Sequence, residues 1–365
     1  MTIGASRTVI DLGAVAFEAR ERQLAELGAL RASVFRYASG VAAVRIANAD
    51  GEIVVLPYHG QQIWDATFYG RRLTMRSVFD EPVASTEFLR NYGAFLVHCG
   101  ASAMGNVGPN DKHAPHGELP NAAYEAARLV LGSDDAGAYV EMSGKHVQRV
   151  AFGLHYEFEP VLRLRERGGR IELDLTVTNR RSKPMELMYL AHVNFRPVDG
   201  ARLVDAVPNT PEHFRVRTHM PGYRLADQSY HDLMARFQND PASHRTIVAG
   251  RRIDPELVAG MDYPAGADGW AHTLQLLPDG TADFISHRPS ELDKGVRWMS
   301  RNGDEDALGP FLPATAEADG REAELAKGNV KFIAPGGTFR TRLAFGALTT
   351  DEAATMAGEI AALAR

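Results

Sequence analysis

Between the two chain ends, several segments alternate hydrophobic and polar residues one for one. Ile171, Leu173, Leu175 and Val177 alternate with Glu172, Asp174, Thr176 and Thr178, the pattern of a strand with one buried face. Arg163-Leu164-Arg165 precedes it across the turn Arg167-Gly168-Gly169-Arg170, which predicts a hairpin. Phe339, Thr341, Leu343 and Phe345 alternate with Arg340 and Arg342 after Pro335-Gly336-Gly337. Val54-Val55-Leu56 and Phe95-Leu96-Val97 are shorter apolar runs bounded by Pro or Gly. The two chain ends read differently. Phe17, Leu24 and Leu27 recur at helical spacing between about residues 11 and 30, and Met356, Ile360 and Leu363 do so near the C-terminus. There, Thr349 and Glu352 stand at capping-box spacing.

The expected architecture is all-β: a large antiparallel β-sandwich with N- and C-terminal helices. Residues 1–35 form the helical extension, 36–348 the sandwich and 349–365 the terminal helix. Residues 205–270, broken by Pro208, Pro211, Pro221, Pro241, Pro255 and Pro264, read as an insertion with short helical pieces near 229–239 and 255–260. A structureless loop of that length is improbable inside a compact domain.

Composition narrows the function. Forty Lys and Arg against 46 Asp and Glu give a net charge of −6. That leaves no basic excess for phosphate backbones or anionic lipids, so neither nucleic acid nor a membrane is an expected partner. Cys99 is the one cysteine, which excludes an intrachain disulfide and a thiolate zinc cage. Asp11 and Glu18 interrupt any secretory apolar core, and the expected location is cytoplasmic.

Three segments carry candidate chemistry. Cys99 to Asn121 concentrates Asp111, Lys112, His113, His116 and Glu118 on a Gly- and Pro-shaped loop directly after a strand that ends in His98, a common way to mount a site on a rigid scaffold. Pro184 to Phe195 is a nearly continuous apolar strand bearing His192 and Asn194. Two imidazoles converging on one cleft can handle the two protons of an acid/base reaction. Leu56 to Asp65, followed by Arg71 and Arg72, sets Trp64 beside Gln62 and Asp65, residue types that stack on sugar C–H faces and bind hydroxyls. His113, His116 and Glu118 also follow a His-x-x-His-x-Glu pattern, a donor set that suits a divalent Zn, Mn or Fe ion.

Taken together, these blocks resemble the aldose 1-epimerase, or galactose mutarotase-like, superfamily in a divergent branch. The resemblance rests on Gly60 to Asp65; on Cys99-Gly100, Met104-Gly105 and His116-Gly117; on Asn179, Pro184-Met185 and His192-Val193-Asn194-Phe195; and on Trp298, Gly309 and Pro313-Ala314-Thr315. It implies a β-sandwich with a sugar site on one concave face and no required cofactor. It also implies His192 as acid and His116 as a second, orienting histidine, with Gln62, Trp64, Asp65, Arg71, Arg72, Asn194 and Trp298 as sugar-binding candidates. The family's Glu-Pro base does not carry over, because Leu312 precedes Pro313 and a Leu cannot accept a proton. Glu118 then becomes the expected substitute base or a metal ligand.

The leading expectation is a carbohydrate epimerase or isomerase, most simply one that interconverts sugar anomers by ring opening. A metal-assisted keto-sugar isomerase and a non-catalytic sugar-binding protein are the alternatives, and the partner in each case is a small-molecule sugar.

Overall fold

The structure is a computed structural model describing residues 7–218 and 226–364. Two antiparallel sheets, one of nine strands and one of thirteen, lie face to face. The expected hairpin forms: His155–Arg165 pairs with Gly169–Asn179, with Leu164 opposite Ile171. Thr338–Leu348 then continues the nine-stranded sheet, with Leu343 opposite Leu173. Leu173, Leu175, Leu162, Phe158 and Phe345 meet Ile63, Phe95, Ala191 and Phe195 of the other sheet in one buried core.

The thirteen-stranded sheet is covered on both faces. In Met185–Val193, Leu187, Tyr189, Ala191 and Val193 point into the core between the sheets, while Met188 and Leu190 join a second apolar cluster on the outer face. A strand buried on both sides reads as an unbroken apolar run, which explains why this segment lacks the period of two. His192 shares the outer face with Met188 and Leu190.

Two expectations fail at the level of elements. The N-terminal segment is a strand pair, Arg22–Leu27 with Leu30–Arg36, at the edge of the thirteen-stranded sheet. Its helical content among the described residues is one short turn, Leu12–Ala14. A bulge between Gln23 and Ala25 shifts the register there, so the alternation of the strand is lost and Phe17, Leu24 and Leu27 fall at helical spacing by coincidence. Within 205–270, whose residues 219–225 lie outside those described, the helix near 229–239 is present as Gln228–Asn239, capped by Asp227. The piece near 255–260 is the strand Ile253–Met261, paired with Lys294–Arg301. This stretch therefore extends the sheet instead of decorating it.

The C-terminal helix Thr350–Leu363 has the expected capping box between Thr349 and Glu352, and it buries Ala353, Met356 and Ile360 against Phe284 and Leu348. No helix among the described residues is long and apolar enough to cross a membrane.

Candidate functional site

The outer face of the thirteen-stranded sheet carries a cavity lined by apolar side chains with a few convergent polar groups, the composition usual for a small-molecule site. His192 forms part of its wall, with His116, Tyr92, Trp298, Glu256, Arg217, Asn106 and Leu312 around it.

His116 reaches the cavity because of the glycines beside it. The loop returns to the strand Leu96–Ala101, where the Gly100 N–H donates to His116 O and Glu118 and Leu119 N–H both donate to Gly100 O. His116 itself adopts a left-handed φ of 59°. At Gly117 a Cβ would lie 2.2 Å from Ala103 O and 2.4 Å from Gly100 O, so only glycine allows this close approach of backbone to backbone. The result sets the His116 ring 5.6 Å from that of His192, and 4.7 Å from Phe88.

His192 is 4% exposed. The Asn194 amide nitrogen donates to Ala94 O at 2.9 Å, which turns Asn194 Oδ1 towards His192 Nδ1 at 2.6 Å. Facing an acceptor, Nδ1 carries the proton, and Nε2 keeps its lone pair in the neutral ring. The Tyr92 hydroxyl lies 3.2 Å from Nε2. Burial pushes the His192 pKa down to about 4, against the opposing effects of Asn194 and the Glu256 charge. At neutral pH this imidazole is uncharged, a hydrogen-bond acceptor at Nε2 and a weak base.

Trp298 links the histidine to a carboxylate. Its ring meets that of His192 edge-on at 5.0 Å, and its indole N–H donates to Glu256 Oε2 at 2.7 Å. Arg217 Nη2 donates to Glu256 Oε1 at 2.6 Å. Glu256 and Val258 face the cavity from Ile253–Met261, while Leu257, Ala259 and Met261 face the opposite way, into an apolar cluster under the helix Gln228–Asn239.

The other sequence candidates lie elsewhere. Glu118 is not in the cavity wall: it accepts from Tyr156 Oη at 2.8 Å and from Ser102 N and Oγ at 3.0 Å. Burial raises its pKa despite those donors. The left-handed backbone at His116 and Gly117 breaks the strand geometry that would put residues 116 and 118 on one face, so one turns to the cavity and the other to the interior. His113 pairs with Asp111 at 3.5 Å, so the loop does not gather His113, His116 and Glu118 around one point. His98 is also remote, buried between the sheets with Nδ1 2.8 Å from Tyr189 Oη and its pKa pushed down to about 3 by burial. Among the described residues, the acidic and imidazole donors that do converge are Glu317, Asp319 and Glu324. Lys327 Nζ already sits among them, at 2.8, 2.7 and 2.9 Å.

Of the early block, Gln62 is fully buried and ties Pro120 O and Asn121 Oδ1 together at 2.7 and 2.8 Å. Trp64 is buried among apolar side chains outside the cavity lining. Asp65 pairs with Arg72 at 2.8 Å, and Arg71 pairs with the buried carboxylate of Asp283. Of the expected sugar-binding residues, Trp298 lines the cavity, and Asn194, fully buried outside the lining, serves it by holding His192. Sequence reasoning missed Glu256, Arg217 and Tyr92. For Glu256 the usable signal is a carboxylate inside an apolar segment, Leu257-Val258-Ala259, which as a strand places it on a buried face.

The same fold occurs in solved proteins of low sequence identity. A candidate aldose 1-epimerase from Klebsiella pneumoniae superposes with a TM-score of 0.81 at 15% identity, over 99% of this chain and 96% of that one. A galactose mutarotase-like protein from Clostridium acetobutylicum gives 0.56 at 14% identity, over 90% and 98%. A galactose mutarotase related enzyme from Lactobacillus acidophilus gives 0.55 at 12%, over 84% and 98%. The fold is thus galactose mutarotase-like. No curated protein matches the sequence. Residues 38–347 match the family model described as a domain of unknown function, DUF4432, and the chain belongs to that family.

Proposed function

We propose that the protein is a carbohydrate epimerase that interconverts the anomers of a monosaccharide by opening and closing its ring. The observation that carries this reading is the pair His116 and His192 in one cavity, 5.6 Å apart between ring centres. Trp298 and Tyr92 offer aromatic surface beside them. Ring opening requires one proton delivered to the ring oxygen and one removed from the anomeric hydroxyl. His116, half-buried on its loop, is the proposed donor to the ring oxygen. His192, neutral and facing the Tyr92 hydroxyl through Nε2, is proposed to orient a sugar hydroxyl by hydrogen bonding together with Tyr92. This exchanges the roles that the family resemblance implies, for a physical reason: a fully desolvated imidazole with a pKa of about 4 holds almost no proton to give at pH 7.

The solved neighbours named for aldose epimerisation or mutarotase likeness support the reading at the level of fold. The test is magnetisation-transfer NMR between α and β anomer signals over a panel of aldoses. The wild-type chain should accelerate exchange of at least one of them well above the buffer rate. A chain that shifts sugar resonances yet accelerates none would be a sugar-binding protein, the reading that Leu312 at the family's base position favours.

A further inference from the structure

Glu256 is the one carboxylate among the described residues that line the cavity. It is 6% exposed, its two oxygens accept from Arg217 and Trp298, and its charge reaches His192. Leu312, the position from which the resemblance would deliver a base, lines the same cavity but offers only methyl groups. Between the two strands runs Lys294–Arg301, with Val296 opposite Leu312 and Trp298 opposite Val258. The cavity carboxylate thus stands two strands away, on the far side of Trp298.

We propose that Glu256 accepts the proton of the anomeric hydroxyl, so that the proton-accepting wall of this site is the strand Ile253–Met261 instead of Asp306–Ala314. The proposal rests on the epimerase reading above. The bond changes close without any co-reactant. The O1–H proton passes to Glu256, the electrons of that bond form the C1=O double bond, and the C1–O5 pair moves to O5. O5 takes the proton from His116. After rotation about C1–C2, every step reverses, and Glu256 and His116 recover their starting states on the other face. Position favours Glu256 over His192 as the acceptor: His192 Nε2 already meets the Tyr92 hydroxyl at 3.2 Å, whereas a carboxylate oxygen can accept from more than one donor. Arg217, which loses its counter-charge when Glu256 takes the proton, can then hold the sugar oxygen by hydrogen bonding. The sugar must then lie with O1 towards Trp298 and Arg217, turned away from Leu312.

The experiment uses the full chain with the most active aldose of the panel. Glu256→Gln should lower kcat about 100-fold or more, the usual scale for a lost general base, while sugar binding measured by NMR titration stays within about threefold. Glu256→Ala should regain activity on addition of formate, a gain that a purely structural carboxylate would not show. If Glu256→Gln loses its fold by circular dichroism, Glu256→Asp carries the test: it keeps the charge, withdraws it by one methylene, and should lose about tenfold or more. Wild-type turnover retained in whichever of these variants folds, with no formate effect in Glu256→Ala, overturns the assignment of Glu256 and leaves the epimerase reading standing. A wild-type chain that accelerates no sugar's exchange overturns both.

Discussion

The segments Gly60–Arg72 and Ile253–Met261 carry opposite lessons about where a site comes from. The first has the residue types of a sugar pocket: Gln62, Trp64, Asp65, Arg71 and Arg72. Each is engaged elsewhere, in a backbone tie, an apolar cluster or an ion pair. The second has one carboxylate in an otherwise plain segment, and register turns that carboxylate into the cavity with Val258. Side-chain type tells what a residue can do. Which face of the sheet it occupies, and whether a neighbour has already satisfied it, decides whether it does.

If that contrast is right, substitutions in the two regions separate stability from turnover. The largest effect should come from Arg71→Ala. It strips the charged partner from Asp283, which is fully buried and would keep the Gln275 amide as a donor; loss of one member of a buried pair costs up to about 3–5 kcal/mol. Urea unfolding should show that loss at pH 7, with anomer exchange per folded molecule preserved. Burial raises the Asp283 pKa even with Arg71 present, and a carboxyl with a raised folded pKa favours the fold as pH falls through it. The Arg71→Ala deficit should therefore shrink towards acid pH. An Arg71 variant that keeps its stability but loses exchange would put the early block back in the site.

His192→Gln should lower exchange by up to about 100-fold, the scale for a misoriented reactant, measured by the same magnetisation transfer, and an unchanged rate would return His192 to the role of a satisfied core histidine. Gly117→Ala forces a Cβ against Ala103 O and Gly100 O. We expect about 1–3 kcal/mol of destabilisation, as for other overpacked sites, and a fall in exchange as His116 is displaced; thermal unfolding and exchange rates read the two together. The smallest effect belongs to Arg72→Ala. Its pair with Asp65 is largely solvent-exposed, and such pairs contribute about 0–1 kcal/mol. Neither unfolding nor exchange should move by more than that scale, and a tenfold loss of exchange would break the contrast from its weakest side.

The fold was legible wherever one face of a strand meets water. Ile171 to Thr178 alternates because its sheet covers the core on one side only, and Thr349 with Glu352 announces the last helix through local hydrogen bonds. Legibility failed where tertiary packing overrides local pattern. The bulge at Gln23–Ala25 erased the period of an edge strand, and burial of both faces erased it at Ile253–Met261. The site followed the same rule. His116, His192, Asn194 and Trp298 stand in blocks whose order along the chain points to them. Glu118 stands two residues from His116 in sequence but not in the same site, because the loop turns the two side chains to different surroundings. Glu256 is separated from His192 by 64 residues of sequence, and both meet Trp298, a juxtaposition that no local motif encodes.

A crystal structure with the exchanged sugar bound tests the central claim most directly. The account predicts the sugar ring in the cavity between His116 and His192, its ring oxygen within hydrogen-bond distance of His116 and its anomeric hydroxyl within hydrogen-bond distance of the Glu256 carboxylate. A sugar seated outside this cavity, for instance over the Gly60–Arg72 segment, would contradict it.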